Sequence, residues 1–209
     1  MFKKLRFYKV NVILKNIFIK NRKYWHWTLI FCFSIIGCNS VNIYHRVDKN
    51  YGIEIDRFAK DFNLPAAYLK ALIILESSAN KNVQPRFEKH VYEKLIKVKQ
   101  RKIMQYEGLT YTHLKNASNN SIKNLASSWG PFQIMGYKCI HLGVKVADLR
   151  GDSSIYWGIF WINKEYGNYL RQKNFDAAFR IHNTGRPNGK TYHTKYVQNG
   201  LMHISYYTN

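Results

Sequence analysis

The chain has 209 residues, of which 46% are hydrophobic and 16% aromatic, which excludes a disordered polymer and leaves room for one packed domain plus an extension. Its 33 Lys/Arg against 12 Asp/Glu give a net charge of +21. The excess runs along the whole chain and favours polyanionic partners, but no compact basic-aromatic module accompanies it, so no nucleic-acid partner is expected.

Met1 to Lys23 holds eight Lys/Arg and no acid, and residues 27–37 then form an apolar run too short to cross a bilayer as a helix. Basic region, short apolar region and small residue together predict an export signal over 1–38. Its end, Ile35-Ile36-Gly37-Cys38, resembles a bacterial lipobox. That resemblance implies lipidation of Cys38, cleavage before it, and an exported lipoprotein held to the membrane by its acyl chains. Asn39 after the cysteine favours outer-membrane sorting in a Gram-negative host. The long basic region and the semi-apolar residues 10–19 leave an uncleaved membrane anchor as the alternative. Residues 39–50 are polar and read as a tether, and 51–209 as the folded domain.

Within that domain Ile55, Phe58, Ala59 and Phe62 fall at helical spacing, and Pro65 suits the first position of the next helix. In that helix Leu69, Leu72, Ile73 and Glu76 stand at i, i+3, i+4 and i+7. Residues 86–99 repeat the pattern through Phe87, Val91, Leu95 and Val98. The polar stretch 116–124 reads as a loop. Residues 154–169 and 175–182 are helical by period, and Gly185, Pro187 and Gly189 then break regular structure. No long β-alternating run appears, so the fold class is mostly α. Cys139 is the one cysteine in the body of the domain, which predicts no intradomain disulfide and no thiolate metal site.

Glu76 is the first candidate for chemistry. A lone carboxylate on an apolar helix face is partly desolvated, which favours its protonated form and suits a general acid. The bland alternative is a helix-end glutamate in a salt bridge. Downstream, Gly130 and Gly136 permit tight turns around Gln133, whose amide can both donate and accept. Ile134 and Met135 read mainly as packing. No carboxylate spacing suits a metal and no phosphate loop exists, so no metal or cofactor is expected.

The order of Glu76, then Gly130-Pro-Phe-Gln133-Ile-Met135, then Asn183-Thr-Gly185 resembles the lysozyme-like peptidoglycan-cleaving enzymes. These include the soluble lytic transglycosylases and the bacterial and phage N-acetylmuramidase domains. The run Ser128-Trp-Gly-Pro-Phe-Gln-Ile-Met-Gly136 matches the Ser-Trp-Gly-x-x-Gln-Ile-Met-Gly run of the muramidase domains. Arg86-Phe-Glu88-Lys-His90 resembles their Phe-Glu-Arg-His element, with Lys for Arg. The resemblance covers about residues 51–204 and implies a single lysozyme-like domain with a cleft.

It further implies peptidoglycan as substrate and cleavage of the MurNAc-GlcNAc β-1,4 bond with Glu76 as general acid. Glu88 is the second carboxylate, a base for water or a stabiliser of the oxocarbenium-like centre. Ser77, Gln133, Met135, His182, Asn183 and Tyr196 are the substrate-binding set. His182 stands where the transglycosylases carry Tyr, and Thr191 to Val197 resembles their closing helix. Three readings follow. One is a lytic transglycosylase relying on Glu76. The second is a hydrolytic muramidase using Glu76 and Glu88, and the third a wall-binding lipoprotein without activity.

Overall fold

A computed structural model describes residues 43–208. The expected export signal, Cys38 and Asn39 lie outside the described residues. The expected tether, by contrast, is helical from residue 43: residues 43–47 are α-helical and a π turn, Asp48–Gly52, follows. Tyr44, Val47 and Tyr51 repeat at i, i+3 and i+7 and are all buried, a period masked by the polar residues between them. Tyr44 stacks on Tyr206 with ring centroids 3.6 Å apart, so this helix is part of the domain.

Helix α1 (Ile53–Asp61) continues directly from the π turn. Pro65 adopts an extended conformation as the cap of α2 (Ala66–Ser77), one position before the helix proper. Tyr68, Leu69, Leu72 and Ile73 are fully buried, which makes α2 the central helix. It ends where Ser78 takes a left-handed conformation and its N–H bonds back to the carbonyls of the last turn. The last helix, α9 (Tyr196–Thr208), lies along α2.

A smaller lobe follows. Strand β1 (Arg86–Phe87) precedes α3 (Lys89–Lys99), and a hairpin of β2 (Gln105–Tyr106) and β3 (Leu109–Thr110) leads to α4 (Tyr111–Leu114) and α5 (Asn119–Leu125). Strands β4 (Ser127–Trp129) and β5 (Ile134–Met135) complete a three-stranded antiparallel sheet in the order β1-β4-β5. Arg86 pairs with Ser128, and Ser128 with Met135. The helix expected from Arg86 therefore starts three residues later. Phe87 remains 42% exposed and belongs to the sheet edge, while Val91, Leu95 and Val98 form the buried face. The expected loop at 116–124 is largely α5. Ser118 accepts the Ser121 N–H as an N-cap, and Ile122 and Leu125 supply a buried i, i+3 pair within a polar stretch.

Helix α6 (Lys138–Leu142) and a 3-10 turn (Val146–Leu149) lead to the long α7 (Ser154–Arg171). It buries Ile155, Ile159, Ile162, Tyr166 and Leu170, and is broken at Tyr166, whose φ of −146° and ψ of 20° leave the helical region. Helix α8 (Phe175–Thr184) begins at the Asn174 cap and stops at Gly185, where φ is +74°. The architecture is α-rich, with one core running through both lobes.

Candidate active site

A cleft of about 880 Å³ opens on both lobes, with Glu76, Glu88, Gln133, Met135, His182 and Asn183 among its lining residues. The structure thus brings six of the eight sequence candidates to one cleft. Ser77 is not among them: its hydroxyl donates to the Ile73 carbonyl of its own helix at 2.9 Å and the residue is buried. Tyr196 is also buried, yet it reaches the site from behind.

Glu76 stands in the last turn of α2 with its side chain 9% exposed. The Tyr196 hydroxyl donates to Oε1 at 2.5 Å. Among the described residues, Oε2 accepts no hydrogen bond. The imidazole of His182, 7% exposed, places Nε2 3.8 Å from Oε1. The proton positions on that ring follow from its partners. Nε2 lies 3.0 Å from the Phe132 carbonyl, which can only accept, so Nε2 carries the proton and donates. Nδ1 then accepts from the Tyr166 hydroxyl at 2.7 Å. The ring is neutral in this arrangement. Burial pushes its pKa below the ordinary histidine value, against the opposite pull of Glu76. The hydroxyls of Tyr166 and Tyr196 are pushed well above the ordinary tyrosine value, in both cases chiefly by burial. Behind them the fully buried Tyr68 hydroxyl has no hydrogen-bond partner among the described residues.

Gln133 sits at φ +49° on the turn between β4 and β5. Its Oε1 accepts from Ser128 Oγ at 2.7 Å and its Nε2 donates to the Gly130 carbonyl at 3.1 Å. The amide therefore holds the turn in shape as well as facing the cleft. Gly130, at φ +71°, has the Leu149 carbonyl oxygen where a Cβ would lie, so the turn needs glycine twice over.

Glu88 reaches the cleft from the smaller lobe with 26% of its side chain exposed. Arg86 Nε donates to its Oε1 at 2.8 Å, and His90 Nδ1 lies 3.8 Å from Oε2. Asn183 is exposed at the end of α8, and Met135 is half-buried on β5. Sequence reasoning missed Tyr166, which sits in a periodic aromatic helix and carries no local sign of a polar task. It also missed the Phe132 carbonyl, since a backbone acceptor leaves no trace in composition.

A solved structure of a Burkholderia AP3 phage endolysin resembles the chain with a TM-score of 0.53 and 21% identity, over 75% of this chain and 70% of the endolysin. The fold is lysozyme-like. No family model matches the chain, and no curated protein does. In this lysozyme-like fold the acid candidate occupies the end of the central helix, and the Ser128–Gly136 run forms the opposing turn.

Proposed function

We propose that the chain cleaves peptidoglycan glycan strands at the MurNAc-GlcNAc β-1,4 bond as a lytic transglycosylase. The observation that carries this reading is Glu76: a carboxyl group in the cleft wall, nearly excluded from water, with one oxygen fixed by Tyr196 and the other without a hydrogen bond among the described residues. In the proposed reaction, protonated Glu76 gives its proton to the glycosidic oxygen as the bond from C1 of the muramoyl sugar breaks. The C6 hydroxyl of the same sugar then attacks C1, and the Glu76 carboxylate takes its proton, closing a 1,6-anhydro ring. One carboxyl group serves both steps and no water is consumed. Asn183 and Met135 offer polar and apolar contact to the sugars, and Gln133 shapes the turn beside them.

Hydrolysis by a muramidase is the second reading, and Glu88 in the same cleft is the observation in its favour. Against it, the Glu88 carboxylate is already engaged by Arg86, so Glu76 is the better-supported single catalyst. Digestion of purified peptidoglycan by the wild type and by Glu76→Gln, with products read by mass spectrometry, separates the outcomes. Anhydro-muropeptides that vanish in the variant are the expected result. Reducing muramic ends would replace the transglycosylase with the muramidase, and absence of product from the wild type would remove both. We further propose that the enzyme works outside the cytoplasm, tethered through lipidated Cys38. Loss of acyl labelling in Cys38→Ser is the expected result, and unchanged labelling would refute it.

A further inference from the structure

We infer that His182 is a positioning residue that clamps three elements around the acid and, when protonated, loosens that clamp. This rests on the proposed glycan-cleaving reading and adds a role for a side chain that reaction does not otherwise use. The clamp is geometric. From α8, His182 holds the Phe132 carbonyl of the β4–β5 turn at 3.0 Å and the hydroxyl of Tyr166 on α7 at 2.7 Å, with Glu76 of α2 at 3.8 Å.

One polar contact is made at an unusual backbone position and the other next to one. Tyr166 stands at the break in α7, and Phe132 immediately precedes Gln133 with its φ of +49°. The imidazole thus ties the break in one element to the turn that presents Gln133. Its ring is too shielded to reach bulk water freely, so its two nitrogens depend on these partners.

The same geometry makes the clamp sensitive to acid. The charged or titratable groups around the ring are Glu76 from α2, Tyr166 from α7 and Arg86 from β1, with Tyr68 and Tyr196 behind them. In the neutral ring Nδ1 accepts from Tyr166. A second proton on Nδ1 turns that nitrogen into a donor, so the Tyr166 hydroxyl must reverse. The hydrogen bond that Tyr166 gives to the ring is then lost, and the break in α7 is no longer tied to the β4–β5 turn in the same way. Arg86 opposes such protonation and Glu76 favours it.

Gln at position 182 tests this directly, because its amide can donate to Phe132 and accept from Tyr166 but cannot titrate. The pH profile of kcat on glycan strands should show an acid limb in the wild-type full chain that is absent in His182→Gln, with most of the neutral-pH rate kept. His182→Phe, which breaks both contacts, should lower kcat more than KM, by about 10- to 100-fold, since a misplacement of about 1 Å near the chemistry costs up to about 10²-fold. An acid limb unchanged in the Gln variant, or a Gln variant as slow as Phe, overturns the inference. Nitrogen-15 NMR of the histidine rings reads the clamp without turnover. A neutral Nε2–H tautomer for His182 at pH 7 is expected, and an Nδ1–H tautomer or a charged ring overturns it. An inactive wild type would count against the glycan-cleaving reading, while the NMR result still decides the clamp.

Discussion

The Tyr196 hydroxyl donates to Oε1 of Glu76 at 2.5 Å, joining the first turn of the last helix to the last turn of the central one. The bond does two things at once. It ties α9 to α2 and it holds the carboxyl group in one orientation.

Tyr196→Phe separates these effects. A hydrogen bond contributes about 0.5–1.5 kcal/mol, so the variant should melt at lower temperature by a few degrees while remaining folded. Its kcat on peptidoglycan should fall more than its KM rises, because the acid loses its fixed orientation while the sugar contacts stay. Circular dichroism melts and turnover on labelled glycan strands measure the two. A variant with unchanged kcat would remove Tyr196 from the site and leave it a packing residue.

The glycine that follows β5 makes a sharper stability prediction. A Cβ on Gly136 would press into the Asn124 carbonyl oxygen and come within 3.0 Å of Trp129 Nε1, which itself donates to that carbonyl at 2.8 Å. The backbone atom cannot yield without moving the end of α5. Gly136→Ala should therefore cost about 2–4 kcal/mol, at the high end for a single substitution. Denaturant unfolding of the variant against the wild type checks this. A cost under about 0.5 kcal/mol, the level of an ordinary surface change, would show that the segment after β5 adapts.

Parts of this arrangement were legible in the sequence for a physical reason. Glu76 follows three apolar residues at helical spacing, and the Ser128–Gly136 run is local, so both announce themselves within about two turns of chain. The clamp was not legible. Phe132, Tyr166 and His182 meet across three elements, and one of the contacts goes to a backbone carbonyl. Ser77 misled because adjacency to the acid says nothing of which way a helical side chain points, and its hydroxyl folds back on Ile73. The helix at 119–125 and the buried Tyr44–Val47 face were hidden by polar neighbours. Two buried positions in a short helix are too few to raise the period above its background.

Stability should depend on pH in a window set by the buried ring. The pKa of His182 in the folded chain lies below the ordinary value of 6.5, so the unfolded chain binds a proton more readily than the folded one. Its contribution is thus fully present above that ordinary value and is lost as pH falls through the folded one. Tyr166 and Tyr196 behave in the opposite sense: both are raised above 10.0, so their contribution holds below that value and is lost as pH rises beyond it. The melting temperature should therefore be flat between about 6.5 and 9, above which the Cys139 thiol, also pushed up by burial, begins to lose its contribution, and fall on both sides. His182→Gln should lessen the fall on the acid side alone, leaving the share of His203, whose pKa burial also lowers. A melting temperature in that variant that falls with acid as steeply as in the wild type would assign the loss to other groups.

Glu88 decides between the two chemistries by its own substitution. In a lytic transglycosylase the nucleophile is the C6 hydroxyl and the single proton carrier is Glu76, so Glu88→Gln keeps the anhydro products and most of the rate. Removing the carboxylate also frees Arg86, whose side chain is 65% exposed and can turn to solvent, so the folded state should lose little. In a muramidase that uses Glu88 to activate water, the same change removes a general base and should cost about 10²–10⁴-fold in kcat. Product analysis runs alongside the rate, because a slow variant that still yields anhydro ends would mean that Glu88 orients the strand rather than activates water. The expected result is retained turnover with anhydro ends only. A collapse of turnover from a wild type that yields reducing ends would establish Glu88 as the second catalytic group.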